Sequence, residues 1–323
     1  MKIIGIICGG YSSEFEISIK SADTILANLS DPYIGYKIVI TNKDWKVSHE
    51  HKSGFFDLNQ GKIIFEEGEQ VRLDGAIVYI HGNPGENGKI QAILDLLSIP
   101  YVNSNVLASA LSFDKWFCNQ FLASFDIQVA NSILLHEGNL IDEDMIIQNL
   151  GLPLFVKPTD SGSSYGISKV KEASHLKAAI DSAFQEGKTV VLESFLDGIE
   201  VTCGVYRHTD DLIALPLTEI VSENEFFDFE AKYQGKSNEI TPARISDEQA
   251  NIIKAQSKRI YSLLNLKSIA RIDFMLVKEI PYLIEVNTTP GFTAESIVPK
   301  MLEAEGTSLS TFWRAILDTE LKN

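Results

Sequence analysis

Residues 269–297 read Ile-Ala-Arg-Ile-Asp-Phe-Met-Leu-Val-Lys-Glu-Ile-Pro-Tyr-Leu-Ile-Glu-Val-Asn-Thr-Thr-Pro-Gly-Phe-Thr-Ala-Glu-Ser-Ile. Two apolar runs flank a short polar break at residues 278–280, a pattern typical of a β-hairpin. If these three residues make the turn, pairing across the hairpin opposes polar side chains twice. The opposed pairs are Asp273 with Glu285 and Arg271 with Asn287. Strand alternation puts these four side chains on one face of the hairpin. The apolar residues on the other face are Ile272, Phe274, Ile284 and Val286.

Opposed side chains in a hairpin lie roughly 4.5–5.5 Å apart at Cβ, so two facing carboxylates repel each other unless a cation neutralises them. With the amide oxygen of Asn287 the two acids form an all-oxygen ligand set, which suits Mg²⁺ held beside substrate phosphates. A salt-bridged surface hairpin, with Arg271 paired to Asp273 or Glu285, explains the same pattern without a ligand. The hairpin alone does not decide between these interpretations.

The composition argues against several classes of partner. The chain has 323 residues, more than one core usually holds, so two or three domains are expected. Its 28 Lys and Arg against 44 Asp and Glu give a formal net charge of −16. That charge argues against a nucleic-acid or anionic-membrane surface but leaves room for a local basic pocket. No apolar run approaches the ~20 residues of a membrane span, and no signal peptide is expected. The sequence predicts a cytoplasmic protein whose three widely spaced cysteines are buried free thiols.

The N-terminal segment predicts a parallel sheet. Residues 2–8 read Lys-Ile-Ile-Gly-Ile-Ile-Cys, an apolar run after the first lysine, as in a strand buried on both faces, and a Gly-Gly pair ends it. A helix is expected next, with Ser13 and Glu16 spaced as a capping box. Glu14 then falls in the first helical turn, where it complements the helix dipole or holds a substrate ammonium at the edge of the sheet. Both interpretations of Glu14 remain open.

A second polar group follows another predicted strand. Residues 75–80 are apolar and run into His81, which opens a loop rich in turn-forming residues. His81 is either a loop histidine with its hydrogen bonds satisfied or a substrate contact, and the sequence does not decide. Strands and helices alternate up to about residue 103, which predicts a small α/β domain.

The middle of the chain points to a nucleotide. Lys157 ends an apolar strand, where its charge needs a partner. The Gly- and Ser-rich residues 159–166 lie between two strands and can present N–H groups and hydroxyls to phosphates. This loop is not a Walker motif, because no Gly-Lys-Ser/Thr precedes a helix. An ordinary flexible hairpin is the alternative, but a lysine beside a glycine-rich loop favours a nucleotide.

Two further segments fit a nucleotide site. The apolar strand from residue 189 suits an adenine slot, in which Glu193 reads the exocyclic amine and Glu200 accepts the ribose hydroxyls. Both acids could equally be solvated. Residues 222–242 are polar with aromatic anchors, a composition typical of a lid loop.

Taken in order, these segments resemble the D-alanine–D-alanine ligases of the ATP-grasp superfamily over essentially the whole chain. Seven motifs in the order of that family carry the resemblance. They are Gly9-Gly-Tyr-Ser-Ser-Glu14, His81-Gly-x-x-Gly-Glu86-x-Gly88, Ser112-Phe-Asp-Lys115, Val156-Lys157-Pro with Gly162-Ser-Ser-x-Gly166, Glu230-Ala-Lys232-Tyr233, Arg271-Ile-Asp273, and Glu285-Val-Asn287-Thr-x-Pro-Gly291 with Ser296.

The resemblance implies an α/β ATP-grasp fold in three domains. These are an N-terminal parallel-sheet domain at 1–103, a central domain at 104–193 that carries the glycine-rich loop, and a C-terminal domain at 194–323 that carries the lid and metal site. It also implies ATP-dependent joining of two D-alanines through a D-alanyl phosphate, for peptidoglycan precursors. ATP and two Mg²⁺ (or Mn²⁺) are the implied cofactors, and a homodimer is the implied assembly.

The resemblance assigns residues by matching positions. Phosphate and nucleoside contacts are implied for Lys115, Lys157, Ser163, Ser164, Glu193, Leu196, Glu200 and Phe226. The metal ligands are Asp273, Glu285 and Asn287. Catalytic roles are implied for Glu14, Ser163, Tyr233, Arg271 and Gly291. Substrate contacts are implied for His81, Lys232, Ser296 and Ile297.

Two other functions are compatible with parts of this pattern. One is a related ATP-grasp carboxylate–amine ligase of the D-Ala–D-Ser or D-Ala–D-Lac type, which would differ in the lid and in residues 291–297. The other is a non-catalytic ATP-binding module, which would be expected to lose a magnesium acid or Arg271. The chain keeps both.

Overall fold

Three β-sheets organise the chain in a computed structural model, which describes residues 1–160, 166–222 and 237–321. Predicted site residues Ser163, Ser164, Phe226, Lys232 and Tyr233 lie outside the described residues. Within the described ranges, no helix combines the length and apolar character needed to cross a membrane.

The first sheet has eight strands in the order β6-β5-β4-β3-β2-β1-β7-β8. They are β1 Lys2–Gly9, β2 Tyr33–Ile40, β3 Trp45–His49, β4 Lys52–Asp57, β5 Lys62–Phe65, β6 Gln70–Arg72, β7 Gly75–Val78 and β8 Tyr101–Val102. Only β2, β1, β7 and β8 are parallel to one another, so the predicted parallel sheet is confirmed for that half. Strands β3 to β6 continue it as antiparallel hairpins, because their connections are too short for a parallel crossover.

Helix α1, Phe15–Ala27, follows β1, and α2, Lys89–Leu96, precedes β8. The predicted capping box at Ser13 is wrong, because α1 starts later, with Glu14 at its N-cap and no side-chain cap bond. The residues before it instead form a turn tied to the loop after β7. Ser12 Oγ donates to the carbonyl of His81 at 2.7 Å and accepts the Glu14 N–H at 3.3 Å.

The second sheet is antiparallel in the order β11-β10-β12-β9. Its strands are β9 Ser132–His136, β10 Leu154–Pro158, β11 Ser168–Val170 and β12 Thr189–Ser194. Four helices lie in this part of the chain: α3 Val106–Phe113, α4 Lys115–Ala123, α5 Glu143–Leu150 and α6 Leu176–Ala183. The last two share a buried apolar core with the second sheet, whereas α3 and α4 contribute to a core with the third sheet.

The third sheet is antiparallel in the order β16-β15-β13-β17-β18, and β14 pairs with β13. Its strands are β13 Ile199–His208, β14 Asp211–Ala214, β15 Thr218–Ser222, β16 Ser237–Ile240, β17 Ile269–Val277 and β18 Ile280–Asn287. Helices α7 Asp247–Leu263, α8 Ile297–Ala304 and α9 Leu309–Glu320 complete the described chain. Ser246 and Gln249 form a capping box at the start of α7.

The hairpin of β17 and β18 reaches the predicted register by an unpredicted route. The turn has two residues, Lys278 and Glu279, both at positive φ (47° and 73°), so Val277 pairs with Ile280. A bulge between Asp273 and Phe274 then makes up the one-residue difference. The predicted pairs Asp273–Glu285 and Arg271–Asn287 are therefore confirmed. The predicted face of Ile284 is wrong, because Leu283 takes the core position opposite Phe274 and Ile284 lies half-buried at a cavity.

One aromatic core joins the first sheet to the C-terminal helices. Tyr79, just after β7, packs edge-to-face against Phe292 and Trp313, with ring centroids 5.9 Å apart in both pairs. Phe292 also stacks on Phe312, so residues far apart in sequence share this core. The three cysteines are free and buried, as predicted. Burial raises the pKa of the Cys8 and Cys118 thiols to about 12.

Candidate active site

A cavity of about 740 Å³ opens where the three sheets meet. All predicted site residues within the described part of the chain line it. They are Glu14, His81, Lys115, Lys157, Glu193, Leu196, Glu200, Arg271, Asp273, Glu285, Asn287, Gly291, Ser296 and Ile297. These residues come from the N-cap of α1 and a loop beside the first sheet, from α4, from the second and third sheets and their connection, and from the segment that leads into α8, so folding gathers side chains that are far apart in sequence.

Asp273 lines the cavity and is only 6% exposed. Arg271 donates to both of its oxygens, Nε to Oδ1 at 2.9 Å and Nη2 to Oδ2 at 2.8 Å. Asn287 Nδ2 donates to Oδ2 at 2.9 Å, and Thr202 on the paired strand β13 donates to Oδ1. The Arg271–Asp273 pair considered from the sequence is therefore present, but it lines a cavity and not an exposed surface. Thr202 was not predicted, because its partner lies 71 residues away on another strand.

The second acid of the hairpin faces a lysine from α4. Lys115 Nζ lies 3.6 Å from Glu285 Oε2, and both side chains are mostly buried. Two local contacts place Lys115 at the start of α4. Asp114 caps the helix by accepting the Phe117 N–H at 3.0 Å, and the Lys115 N–H donates to the carbonyl of Thr159 at 2.9 Å.

The donor set of the hairpin fits a hard divalent cation. Asp273 and Glu285 supply carboxylate oxygens, and Asn287 directs its amide nitrogen to Asp273, which leaves its carbonyl oxygen as an acceptor. Among the described residues no group of three or more His, Cys, Asp and Glu side chains is arranged for a metal. A metal here would take two carboxylates and one amide from the protein, a small set of the kind that Mg²⁺ completes with phosphate oxygens and water.

A second lysine pairs with an acid on the adjacent strand. Lys157 Nζ on β10 donates to Glu193 Oε2 on β12 at 2.6 Å, and Lys157 also lies 5.3 Å from the Phe155 ring centroid. Burial of Lys157 opposes its charge, but nearby carboxylates, Glu193 first among them, outweigh that effect and raise the pKa of Lys157 above the ordinary lysine value. Lys157 is therefore a cation in this site at neutral pH.

The opposite end of the cavity is built from the segment between β18 and α8. Ser296 Oγ accepts the Thr293 N–H at 3.0 Å and lies 2.9 Å from Thr293 Oγ1. A Cβ at Gly291 would come within 3.0 Å of Ser296 Oγ, so glycine lets the two chain segments approach closely. His81 faces this end, and burial lowers the pKa of its ring below the ordinary value, which keeps it neutral at pH 7.

Glu86 lines the cavity although no role was assigned to it from the sequence. Its Oε2 accepts the Gly82 N–H at 2.8 Å. Burial raises the pKa of Glu86 to about 7, and the nearby acids Glu14 and Glu285 add to that rise. Its position in the turn-rich loop after β7 was visible in the sequence, but its proximity to Glu14 and Glu285 from two distant segments was not.

The second and third sheets enclose a cavity that holds two lysines and a carboxylate pair. This fold and site define the protein as a member of the ATP-grasp class.

Comparison with known proteins identifies the family within that class. The family model described as D-ala D-ala ligase N-terminus matches residues 3–104, and the model described as D-ala D-ala ligase C-terminus matches residues 121–318. A D-alanine–D-alanine ligase from Parabacteroides distasonis is 43% identical over 328 aligned residues, covering 100% of this chain and 98% of the relative. The chain belongs to the D-alanine–D-alanine ligase family and is an ATP-dependent ligase.

Solved structures agree with this assignment. The D-alanyl-alanine synthetase A of Vibrio cholerae has a TM-score of 0.89 at 30% identity, covering 100% of this chain and 99% of its own. The VanG D-Ala:D-Ser ligase of Enterococcus faecalis has a TM-score of 0.86 at 30% identity, covering 99% of both chains. The D-alanine–D-alanine ligase of Bacillus anthracis complexed with ATP has a TM-score of 0.81 at 29% identity, covering 99% of this chain and 98% of its own.

Proposed function

We propose that this ligase joins two D-alanines into D-alanyl-D-alanine, a peptidoglycan precursor, and converts ATP to ADP and phosphate. A carboxylate oxygen of the first D-alanine attacks the γ-phosphorus of ATP, the bond to the β-phosphate oxygen breaks, and D-alanyl phosphate and ADP form. The amine of the second D-alanine, having lost a proton, attacks the carbonyl carbon. Collapse of the tetrahedral intermediate forms the amide and expels phosphate. The observation that carries this proposal is the convergence of the matching residues on one cavity.

Lys115 and Lys157 are the proposed phosphate contacts. Both are cations in a mostly buried setting, where attraction to an anion is weakly screened. Each is paired with an acid, so binding of ATP requires these pairs to rearrange. Glu193, released from Lys157, is then available to accept a hydrogen bond from the exocyclic amine of adenine. Leu196 and Glu200, which line the cavity, are further proposed nucleoside contacts, and Ser163, Ser164 and Phe226 belong to the same proposed set.

Asp273, Glu285 and Asn287 would hold the two divalent ions, Mg²⁺ or Mn²⁺. When bound, the ions supply charge neutralisation for the phosphate oxygens. Arg271 already lies against Asp273, on the same face of the hairpin.

The oxyanion of the tetrahedral intermediate is assigned to the Arg271 guanidinium and the Gly291 N–H. Glu14 is assigned to the ammonium of the first D-alanine, with His81 beside that substrate. Ser296 and the N–H of Ile297 are assigned to the carboxylate of the second substrate, because Ile297 begins α8 and a helix N-terminus favours an anion. Ser163 and Tyr233 are assigned to the anchoring of the lid, together with Glu14. Lys232 is assigned to a substrate contact.

The second substrate is the most specific part of the proposal, because a D-Ala:D-Ser ligase is among the similar structures. Tyr233 is the sequence feature that favours amide formation over ester formation, since relatives that make depsipeptides carry Phe at this position in some cases. We therefore expect D-alanine as acceptor and little D-alanyl-D-lactate at neutral pH. A cytoplasmic homodimer is the proposed state of the enzyme, and analytical ultracentrifugation checks the dimer.

The test is phosphate release with ATP and Mg²⁺ across D- and L-amino acids and D-lactate, with the products identified by mass. D-Alanyl-D-alanine as the dominant product is expected. Efficient formation of a depsipeptide or of D-Ala–D-Ser would contradict D-alanine as the acceptor. ATP binding without phosphate release would support the non-catalytic alternative.

A further inference from the structure

Three side chains of the first domain hydrogen-bond the backbone on both sides of Gly291. The Tyr79 hydroxyl donates to the carbonyl of Pro290 at 2.8 Å. His81 Nδ1 lies 2.9 Å from the carbonyl of Thr289, and Ser21 Oγ accepts the N–H of Phe292 at 3.3 Å. Residues 289, 290 and 292 are thus each tied to the first domain.

The Tyr79 bond determines the direction of the Gly291 N–H. The Pro290 carbonyl and the Gly291 N–H belong to one peptide unit, which is planar and trans, so the two groups point in opposite directions. With the carbonyl turned to Tyr79 in the aromatic core, the N–H points away from that core. Gly291 lines the cavity, and within the described part of the chain its N–H donates no hydrogen bond.

The flanking bonds are consistent with one another. A carbonyl can only accept, so the neutral His81 ring carries its proton on Nδ1 and uses Nε2 as an acceptor. The Ser21 hydroxyl lies 3.4 Å from Nε2 and can donate to it while its oxygen accepts the Phe292 N–H. The Tyr79, His81 and Ser21 donors and the Phe292 N–H therefore each have an acceptor within this hydrogen-bonded network.

Packing holds the Tyr79 hydroxyl in place. The side chain is 1% exposed, and its ring makes edge contacts with His81, Phe292 and Trp313. Burial also raises the pKa of the Tyr79 phenol well above its usual value, so the hydroxyl stays a donor throughout the working pH range.

We propose that Tyr79 is a positioning residue for ligation. Its hydroxyl holds the Pro290–Gly291 peptide so that the Gly291 N–H meets the developing oxyanion, and Ser21 and His81 hold the flanks. This inference rests on the oxyanion role given to Gly291 in the proposed function. It makes the first domain a contributor to the transition state through a loop of the C-terminal part.

The test compares Tyr79→Phe with Tyr33→Phe. Tyr33 is a matched control, because it also lies on the first sheet in the same core, is 5% exposed, and donates its hydroxyl to the C-terminal helix α9, at Asp318 Oδ1 over 2.6 Å. Tyr79→Phe should lower kcat about 10-fold, a part of the roughly 10²–10³-fold lost when an oxyanion donor is removed. The KM values for ATP and D-alanine should not change. Tyr33→Phe should leave kcat unchanged and lower only the thermal midpoint.

The binding affinity of a phosphinate dipeptide, an analogue of the tetrahedral intermediate, is a second measurement. A loss of stability alone does not change this affinity. Its affinity should fall by the same factor as kcat in Tyr79→Phe, while ADP affinity stays constant. Ser21→Ala should show a smaller change of the same kind and replaces Tyr79→Phe if that variant folds poorly. Unchanged kcat and phosphinate affinity in an active enzyme would overturn this inference alone. A wild type that forms no dipeptide would overturn the proposed function, and this inference with it.

Discussion

The two ends of the cavity are held by different kinds of interaction. At the oxyanion end, Ser21, Tyr79 and His81 bond the backbone of residues 289–292, and no ligand has to break these bonds. At the proposed phosphate end, charged side chains form ion pairs with one another, as in Lys157–Glu193 and Lys115–Glu285. In the proposed mechanism, the first end is preorganised for a transition state, and the second has to exchange partners when ligands bind.

Burial explains why the cations at the proposed phosphate end are paired with acids. The chain carries a formal charge of −16, and unpaired cations in a mostly buried cavity would attract the nearest carboxylates. Removing one partner of such a pair leaves the other charge buried and uncompensated, which costs more than the pair itself contributes. Variants at this end should therefore change ligand affinity as well as chemistry.

The largest effect is expected for Glu285→Gln. The substitution keeps the shape but removes one of the two hairpin carboxylates, so metal affinity and stabilisation of the γ-phosphate charge should both fall. We expect turnover to drop by at least about 10²–10³-fold, the order found when one preorganised electrostatic group is lost. Titration of activity with Mg²⁺ measures it. Glu303→Gln, on the exposed face of α8, is the control. Unchanged turnover at low Mg²⁺ would contradict the metal assignment.

Arg271→Met tests whether an arginine at the junction of the two ends serves the oxyanion. We expect kcat to fall by roughly 10²–10³-fold with little change in ATP affinity, as for loss of one oxyanion donor. Steady-state kinetics measure kcat, and calorimetry measures ATP affinity separately. Arg314→Met removes another Arg–Asp pair, at 2.7 Å on α9, and should leave kcat unchanged. A loss confined to ATP affinity would contradict the oxyanion role of Arg271 and indicate a phosphate contact instead.

Glu193→Gln breaks the pair at the phosphate end directly. Lys157 loses its main stabilising carboxylate, and because burial opposes its charge, its pKa should fall. We expect the KM for ATP to rise about 10-fold, equivalent to roughly 1.4 kcal/mol for a charged hydrogen bond, with a smaller change in kcat. Asp181→Asn, which removes the exposed Lys177–Asp181 pair, is the control. A change in kcat without a change in the KM for ATP would contradict the assignment of Glu193 to ATP binding.

The smallest effect is a pH-dependent change in stability at Glu86. Folding raises its pKa from 4.5 to about 7, so its contribution to stability is complete below pH 4.5 and is lost as pH rises through about 7. Glu86→Gln does not titrate, so relative to wild type it should gain about 1–3 kcal/mol in unfolding free energy between pH 5 and pH 8. Thermal midpoints at both pH values measure this. Glu67→Gln, in the exposed turn between β5 and β6, should show no such gain, and an equal difference at both pH values for Glu86→Gln would contradict the prediction.

Local sequence pattern was sufficient for the hairpin pairs and for the family. Strand alternation and an assumed three-residue turn predicted Asp273 opposite Glu285, and this pairing holds because the bulge offsets the shorter turn that the structure has. The seven motifs are similarly local, and each of their described residues with an assigned role lines the cavity. The roles themselves remain predictions, as do the domain boundaries at 103 and 193.

Tertiary structure decided how those residues are held. The two-residue turn and the bulge cancel in the register, so the predicted pairs are right while the predicted face of Ile284 is wrong. Thr202 on Asp273, the raised pKa of Glu86 and the Tyr79–Pro290 bond join residues from separate strands and domains. Such contacts depend on how the sheets pack against one another. Side-chain type and spacing along the chain therefore determined which groups this protein carries, and packing between distant segments determined which of them are preorganised and which are paired.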